Sequence, residues 1–121
     1  MDFSEPILDA ATVARLHVLA DNIARPGENL IARLVDIFVT DSRTRFVECC
    51  AAWRAEDVIV AGRAAHTIKG SASNLGANHV AAAARVIEQV CKEGVAVDEA
   101  MLTDLDAALV EAHAALRSLQ T

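Results

Sequence analysis

The scarcity of helix-breaking residues is the feature that most restricts the fold of this chain. Only two prolines and five glycines occur among 121 residues, and hydrophobic residues make up 54% of the sequence with only 3% aromatic. The apolar side chains are therefore mostly small and medium aliphatics. This composition favours long helices joined by short loops. We identify no convincing strand.

Apolar residues recur at helical spacing in five segments of the sequence. We predict helices over Asp9–Ile23, Glu28–Arg54, Asp57–Leu75, Asn78–Glu93, and from Asp98 onward. The polar residues expected to cap helix N-termini are Asp9, Asp57, Asn78 and Asp98. Gly76 and Gly94 stand where helices are expected to end.

The apolar face of each predicted helix is expected to build the core. On the third helix this face comprises Ala61, Ala64, Ala65, Ile68, Ala72 and Leu75. On the second helix the apolar residues are Leu30, Leu34, Ile37, Phe38, Val47, Cys50 and Trp53. Short loops make successive helices antiparallel neighbours. We therefore predict an all-α fold, an up-down-up-down four-helix bundle with a short additional N-terminal helix covering one end, and a single domain over residues 1–121.

Charge and hydropathy argue against two classes of function. The net charge is −6 with a pI near 5.1, and no Lys/Arg-rich run occurs, so nucleic-acid binding is not expected. No apolar stretch reaches about 18 residues, so no membrane span is expected. The N-terminal sequence lacks the basic flank and apolar run of a signal peptide. A cytoplasmic location is the resulting expectation.

The cysteines and most of the histidines do not form a recognisable metal or redox motif. Three cysteines occur without a CxxC spacing, and we expect them to be reduced and mostly buried, with a redox or metal role as the alternative. His17, His79 and His113 lie in different segments, and none forms an i, i+4 pair with another His or Cys. We expect these histidines at the surface or its boundary, and we predict no metal site.

His66 is the remaining histidine, and its surroundings differ from those of the others. At about 100° per residue, the apolar face of the third helix lies opposite His66, so its ring is expected to point to solvent. Gly62 and Gly70 lie one turn away on either side, and each costs roughly 1 kcal/mol inside a helix. That cost is understandable if the backbone of a partner must come close. Lys69 and Arg63 place positive charge beside the ring.

This arrangement suits a phosphoryl-carrying histidine. A neutral imidazole nitrogen can attack phosphorus, and Lys69 can pair with the negative charge that phosphorylation adds. We expect no Asp or Glu near His66 on this face, hence no built-in Mg²⁺ site, and the chain has no glycine-rich phosphate loop for ATP. The partner is expected to bring the carboxylate and the metal. Ser73 and Ile59 share the His66 face, and Ile59 is either part of a docking surface or a harmless exposed apolar residue.

The residues around His66 resemble the central pattern of a known family. That pattern is Ala-His-x-(Leu/Ile)-Lys-Gly-(Ser/Ala)-(Ser/Ala) followed by Leu-Gly, and it is matched by Ala65, His66, Ile68, Lys69, Gly70, Ser71, Ala72, Leu75 and Gly76. Further matches are Phe38, Asp57, Ala77, Val80 and the pair Ile87-Glu88. On these residues the chain resembles the histidine-containing phosphotransfer (HPt) domain of multistep phosphorelays over essentially its whole length.

The resemblance implies a phosphocarrier that has no kinase activity. His66 would accept a phosphoryl group from the aspartate of a receiver domain, or from a hybrid histidine kinase, and pass it to a response regulator. Lys69 would steady the phosphoryl group, and Gly70 would leave room for the receiver. The docking face would include Ile59, Gly62, Arg63, Gly70 and Ser73. No cofactor is expected in the chain itself, because Mg²⁺ would come with the receiver.

Two alternatives share much of this sequence pattern. The chain could be a helical adaptor that binds and sequesters a receiver domain or kinase without being phosphorylated. A pure adaptor has no need to keep His66, Lys69 and Gly70 together. The same chemistry would also fit a phosphoacceptor domain of a larger hybrid or chemotaxis-type kinase, although a free-standing protein is favoured. A monomer is expected, because no second apolar seam is evident.

Overall fold

The computed structural model describes residues 5–25 and 28–119. It contains the helices α1 (Ala10–Ile23), α2 (Leu30–Arg54), α3 (Val58–Leu75), α4 (Asn78–Lys92) and α5 (Glu99–Ser118). Within these ranges there is no strand, and Leu8 and Ala77 form an isolated β-bridge. The all-α prediction is confirmed, and the predicted helix boundaries differ from the observed ones by at most two residues. None of the described helices is long and apolar enough to cross a membrane.

Three of the four predicted N-caps are confirmed. The carboxylates of Asp9, Asp57 and Asp98 each accept a hydrogen bond from a backbone N–H in the first turn of the helix that follows. Such caps satisfy N–H groups that have no partner inside the helix. The predicted cap Asn78 is wrong, because Ala77 precedes α4 and Asn78 is its first residue.

The segment before α1 contacts the start of α4, where Asn78 was expected to act as the N-cap. The backbone N–H of Asn78 donates to the carbonyl of Ile7 at 3.1 Å, and its side-chain amide donates to the carbonyl of Pro6 at 3.0 Å. Asp9 N–H donates to the carbonyl of Gly76 at 2.7 Å. The segment before α1 is therefore held against the α3–α4 turn by two backbone hydrogen bonds and one from the side chain of Asn78.

Helices α2 to α5 form the four-helix bundle. Each of them packs against two others of the four, in the cyclic order α2, α3, α4, α5. Ser42 and His113 share a hydrogen bond, and Trp53 donates one to the carbonyl of Val97, just before α5. Helices α2 and α5 therefore run in opposite directions. Helix α1 packs on α2 and α3. It contacts the end of the bundle where α2 begins and where α3 and α5 finish, as predicted.

The core is built from the apolar faces of the bundle helices. The buried residues of α3 are the six that the sequence predicts. The predicted face of α2 is wrong at Leu34, Ile37 and Val47, which are exposed. The other four predicted residues contact the core: Phe38 is buried, and Leu30, Cys50 and Trp53 are partly buried against it. The buried residues of α2 are Ile31, Val35, Phe38, Ser42, Cys49 and Ala52.

A buried serine explains the error in α2. Ser42 is 1% exposed, and its hydroxyl lies 3.1 Å from Nε2 of His113 on α5. Because the hydroxyl has a hydrogen-bonding partner, its burial costs little. The residues of α2 that face the core therefore include a polar one, and a pattern of apolar residues alone does not place a serine there.

The cysteines behave as buried reduced thiols. Cys49 and Cys91 are buried, Cys50 is half-buried, and none forms a disulfide. Burial raises the pKa of Cys49 to about 12. The thiol is therefore protonated and unreactive at neutral pH.

Gly76 ends α3 in the left-handed conformation with φ of 73°, and Gly94 follows α4 with φ of 71°. A Cβ at Gly76 would lie 3.0 Å from Cβ of Thr12 and 3.2 Å from the carbonyl oxygen of Asp9, whereas a Cβ at Gly94 would meet nothing within 4 Å.

We expect Gly94→Ala to cost about 1 kcal/mol of unfolding free energy and Gly76→Ala about 3 kcal/mol. Urea unfolding measures both. Equal losses would mean that the α1 contact at Gly76 contributes nothing.

Candidate functional site

His66 lies in the middle of α3, on the face turned away from the core. Its neighbours Ala64, Ala65 and Ile68 are buried in the bundle, whereas the His66 side chain is 66% exposed. The predicted exposure of this ring is therefore confirmed. The helix is buried on one face only, so the ring is held on a rigid element and remains open to a large partner.

The carboxylate of Glu88, which the sequence analysis names only as a match to the family pattern, lies against the ring. Oε2 of Glu88, on α4, is 2.5 Å from Nδ1 of His66. The side chain of Glu88 is only 8% exposed. The expectation of no acidic residue near His66 is wrong, because it considered only the residues of α3. The sequence does contain an indication of this contact. Glu88 lies one helical turn from Ala84 and from Cys91, on the face of α4 that is predicted to be buried.

Lys69 shares this carboxylate. Its ammonium nitrogen is 2.5 Å from Oε1 of Glu88, so each carboxylate oxygen contacts one residue of α3. Lys92 on α4 lies further away, with its nitrogen 3.7 Å from Oε2 of Glu88. The sequence places Lys69 beside the ring, and the structure adds that the ammonium group pairs with Glu88.

The charge state of Glu88 follows from these contacts. The hydrogen bond from Lys69 lowers the pKa of Glu88, burial opposes this, and the hydrogen bond with His66 adds to the lowering. The net effect is a pKa below the ordinary value. Glu88 is therefore ionised at neutral pH, although its side chain is almost fully buried. A buried carboxylate of this kind is stable only when cationic or N–H partners surround it.

The two glycines that flank His66 have different surroundings. A Cβ at Gly70 would meet nothing within 4 Å, which agrees with a residue that leaves space for a partner. A Cβ at Gly62 would lie 3.0 Å from Cβ of Cys91. The predicted reason for Gly62 is therefore corrected: its missing side chain allows α3 and α4 to approach closely beside the site.

The other predicted docking residues surround His66 on two sides. Ile59 is 65% exposed and Arg63 is exposed. Both line a groove between α3 and α4 together with Gly62, His66 and Lys92. Ser73 is exposed one turn beyond Lys69 and lines a separate polar cleft with it. The site is thus flanked by a partly apolar groove on one side and a polar cleft on the other.

The remaining histidines lie outside the groove that contains His66, although His79 lines the polar cleft with Lys69 and Ser73. His79 is 9% exposed, so its expected position at the surface or boundary is wrong. His113 is half-buried against Phe38, and His17 is half-buried on α1. Among residues 5–25 and 28–119, no group of three His, Cys, Asp or Glu side chains is arranged to hold a metal ion.

Comparisons with known proteins agree with this fold. The family model described as Hpt domain matches residues 33–118. A search of curated proteins gives no match. Among solved structures, the crystal structure of histidine-containing phosphotransfer protein B (HptB) from Pseudomonas aeruginosa PAO1 is similar, with a TM-score of 0.79 and 25% identity over 95% of each chain. The matched region contains all of α3, α4 and the pair His66–Glu88, and these findings support a histidine phosphotransfer role in phosphorelays. The chain belongs to the Hpt domain family.

Proposed function

We propose that His66 accepts a phosphoryl group on Nε2 from the aspartyl phosphate of a receiver domain and passes it to the aspartate of another. The observation that carries this proposal is the contact between Glu88 and Nδ1 of an exposed histidine ring. The partners are receiver domains of response regulators and of hybrid histidine kinases. The exchange takes place in the cytoplasm, as expected from the sequence.

The contact with Glu88 selects the reacting nitrogen. An ionised carboxylate only accepts hydrogen bonds, so Nδ1 of His66 must carry the proton. In the neutral ring this leaves a lone pair on Nε2, which has no hydrogen bond to any described residue. A carboxylate behind a histidine also fixes the tautomer and the orientation of the ring. Glu88 therefore presents Nε2 as the nucleophile and holds the ring in one orientation.

The transfer step conserves charge and atoms. The Nε2 lone pair forms the N–P bond as the P–O bond to the receiver aspartate breaks, and the aspartate leaves as a carboxylate. Positive charge develops on the ring because Nδ1 keeps its proton. Glu88 stabilises that charge in the same way in which a buried aspartate stabilises the imidazolium of a catalytic triad. In the return step the ring leaves and the phosphoryl group moves to a second aspartate.

Lys69 changes partner during this step. Before transfer its ammonium group is paired with Glu88. A phosphoryl group on Nε2 adds negative charge within reach of the same side chain, and charge-assisted hydrogen bonds to phosphoryl oxygens are strong. Lys92, whose nitrogen is already 3.7 Å from Glu88, partly compensates that carboxylate when Lys69 turns to the phosphoryl group.

The chain acts as a carrier, and the receiver supplies the rest of the machinery. The Glu88 carboxylate is occupied by His66 and Lys69, which supports the view that the Mg²⁺ needed for the reaction comes with the receiver domain. Phosphoryl transfer of this kind depends mainly on positioning and on charge neutralisation. An exposed histidine on a rigid helix meets the first requirement.

A transfer assay tests the proposal. The purified protein is mixed with a phosphorylated receiver domain and Mg²⁺, and the label is then treated with acid and with alkali. We expect a label that is lost in acid and kept in alkali, as a phosphohistidine requires. Binding without label, across a broad panel of phosphorylated receivers, would instead support the adaptor function.

Substitutions at Gly70 test the docking surface. Because a Cβ there meets nothing within 4 Å, Gly70→Ala should fold normally and gain about 1 kcal/mol of stability from helix propensity. Gly70→Leu should fold equally well but weaken receiver binding at least about tenfold, since its bulk stands beside the ring. Titration calorimetry with a receiver measures the affinity. Equal affinities for wild type and Gly70→Leu would remove Gly70 from the interface.

A further inference from the structure

His79, at the start of α4, lies between two hydrogen-bond acceptors. Its Nδ1 is 2.6 Å from a carboxylate oxygen of Glu111 on α5. Its Nε2 is 2.6 Å from the backbone carbonyl oxygen of Glu5, in the segment before α1. The imidazole therefore joins three parts of the fold: the N-terminal segment, α4 and α5. The ring is 11% exposed, so water does not readily replace either partner.

Two acceptors require two donors. A neutral imidazole carries a proton on only one of its nitrogens, whereas the imidazolium form donates from both. Short contacts from both nitrogens to oxygen therefore define His79 as the protonated form. Loss of a proton would leave a nitrogen lone pair facing an oxygen lone pair at one of the two contacts, and that contact would have to open.

The relative strength of the two acceptors, the Glu111 carboxylate and the Glu5 carbonyl, determines which hydrogen bond of His79 is lost. Glu111 is a carboxylate, and hydrogen bonds to ionised groups are roughly twice as strong as those to a neutral carbonyl. The neutral ring therefore keeps its proton on Nδ1 for Glu111 and gives up the carbonyl of Glu5. The Glu5 side of the linkage belongs to a segment that is also held by hydrogen bonds from Asn78 to Pro6 and Ile7 and from Asp9 to Gly76.

We infer that His79 is a proton-dependent clasp that holds the N-terminal segment against the bundle and releases it when the ring loses a proton. The segment matters to the functional site because Glu5 lines the polar cleft that also contains Lys69 and Ser73. Release of Glu5 would remove one part of the lining of that cleft, next to the cation that we propose pairs with the phosphoryl group. The docking face would thus change with pH on its α4 side.

The two partners of His79, Glu5 and Glu111, favour the protonated, clasped form. Burial by itself lowers the pKa of His79, but the hydrogen bonds to Glu5 and Glu111 and the charges of both carboxylates outweigh it, and the pKa is raised above the ordinary value of 6.5. Arg85 from α4 and Lys69 from α3 are the cations that line the same cleft. A raised folded-state pKa means that the clasp is complete below about pH 6.5 and is lost as the pH rises through the folded-state pKa.

Hydrogen exchange at two backbone amides tests the clasp. The amide of Asp9 donates to Gly76 and the amide of Asn78 donates to Ile7, so both report whether the segment is in place. Protection factors, corrected for the intrinsic pH dependence of exchange, are measured by NMR from pH 5.5 to 9 together with the ring titration of His79. We expect both factors to fall roughly tenfold across the His79 titration, the loss of a charge-assisted hydrogen bond. The amide of Ala61, inside the bundle, should not change.

Two variants and a control complete the test. Glu111→Gln removes a carboxylate that raises the pKa, so release should begin at lower pH than in the wild type. His79→Gln should show low protection of Asp9 and Asn78 that does not vary with pH. His17→Gln, which alters a histidine on α1 outside the cleft, should behave as wild type. Wild-type protection that stays constant through the His79 titration, or that is unchanged in Glu111→Gln, would overturn the proposal. No phosphoryl transfer is involved, so this test is independent of the proposed function.

Discussion

His66→Gln is expected to reduce phosphoryl uptake from a phosphorylated receiver to background while leaving the fold intact. The variant lacks the ring nitrogen that forms the N–P bond, so the loss should be complete. The side chain is 66% exposed, and the amide of Gln can still donate a hydrogen bond to Glu88. Stability should therefore change by about 0.5 kcal/mol or less. Labelling kinetics and thermal unfolding measure the two effects separately.

A matched histidine substitution controls for general damage. His17→Gln changes a half-buried histidine on α1 that is outside the proposed site. It should be labelled at the wild-type rate. If His66→Gln takes up the phosphoryl group as fast as His17→Gln, the phosphoacceptor is a different residue and the proposed mechanism is wrong.

Removal of the Glu88 carboxylate is expected to have the second largest effect. Glu88→Ala loses the acceptor that keeps the proton on Nδ1 of His66 and also frees Lys69. Residues that orient a reacting histidine commonly contribute 10- to 100-fold, so transfer should slow by about that factor. In Glu88→Gln the amide oxygen can still accept from Nδ1, so the rate should fall less than about tenfold. Single-turnover transfer from a phosphorylated receiver measures each rate.

Two further variants separate orientation from charge. Glu93→Ala removes an exposed carboxylate just after α4 and should transfer normally. Lys69→Ala should slow transfer without weakening receiver binding, since it removes a charge and leaves the Glu88–His66 contact. If Glu88→Gln is as slow as Glu88→Ala, an acceptor for the Nδ1 proton contributes nothing by itself, and the proposed control of the ring proton is contradicted.

Features that depend on one helix alone could be predicted from the sequence. The buried face of α3 and the exposure of His66 follow from helical periodicity, because every residue involved is on the same element. The Asp caps of α1, α3 and α5 also depend on short-range contacts. Each carboxylate accepts a hydrogen bond from a backbone N–H that lies two or three residues later in the chain.

Features that depend on contacts between elements could not be predicted in this way. Glu88 reaches His66 across 22 positions of sequence, and the pair is visible only once α3 and α4 are packed. Gly62 shows the same limitation: its lack of a side chain is explained by Cys91 on the neighbouring helix. The burial of His79 was not predicted, because it is stabilised by polar partners on α5 and in the N-terminal segment. The burial of Ser42 depends in the same way on His113 of α5.

The central claim is that phosphorylation occurs at Nε2 of His66 while Nδ1 keeps its proton for Glu88. The most direct measurement is a long-range ¹H–¹⁵N NMR spectrum of the ring nitrogens before and after transfer from a phosphorylated receiver. We predict a proton on Nδ1 in both states and a phosphorus-coupled Nε2 after transfer. Phosphorus coupling at Nδ1, or phosphorylation at any residue other than His66, would contradict the account.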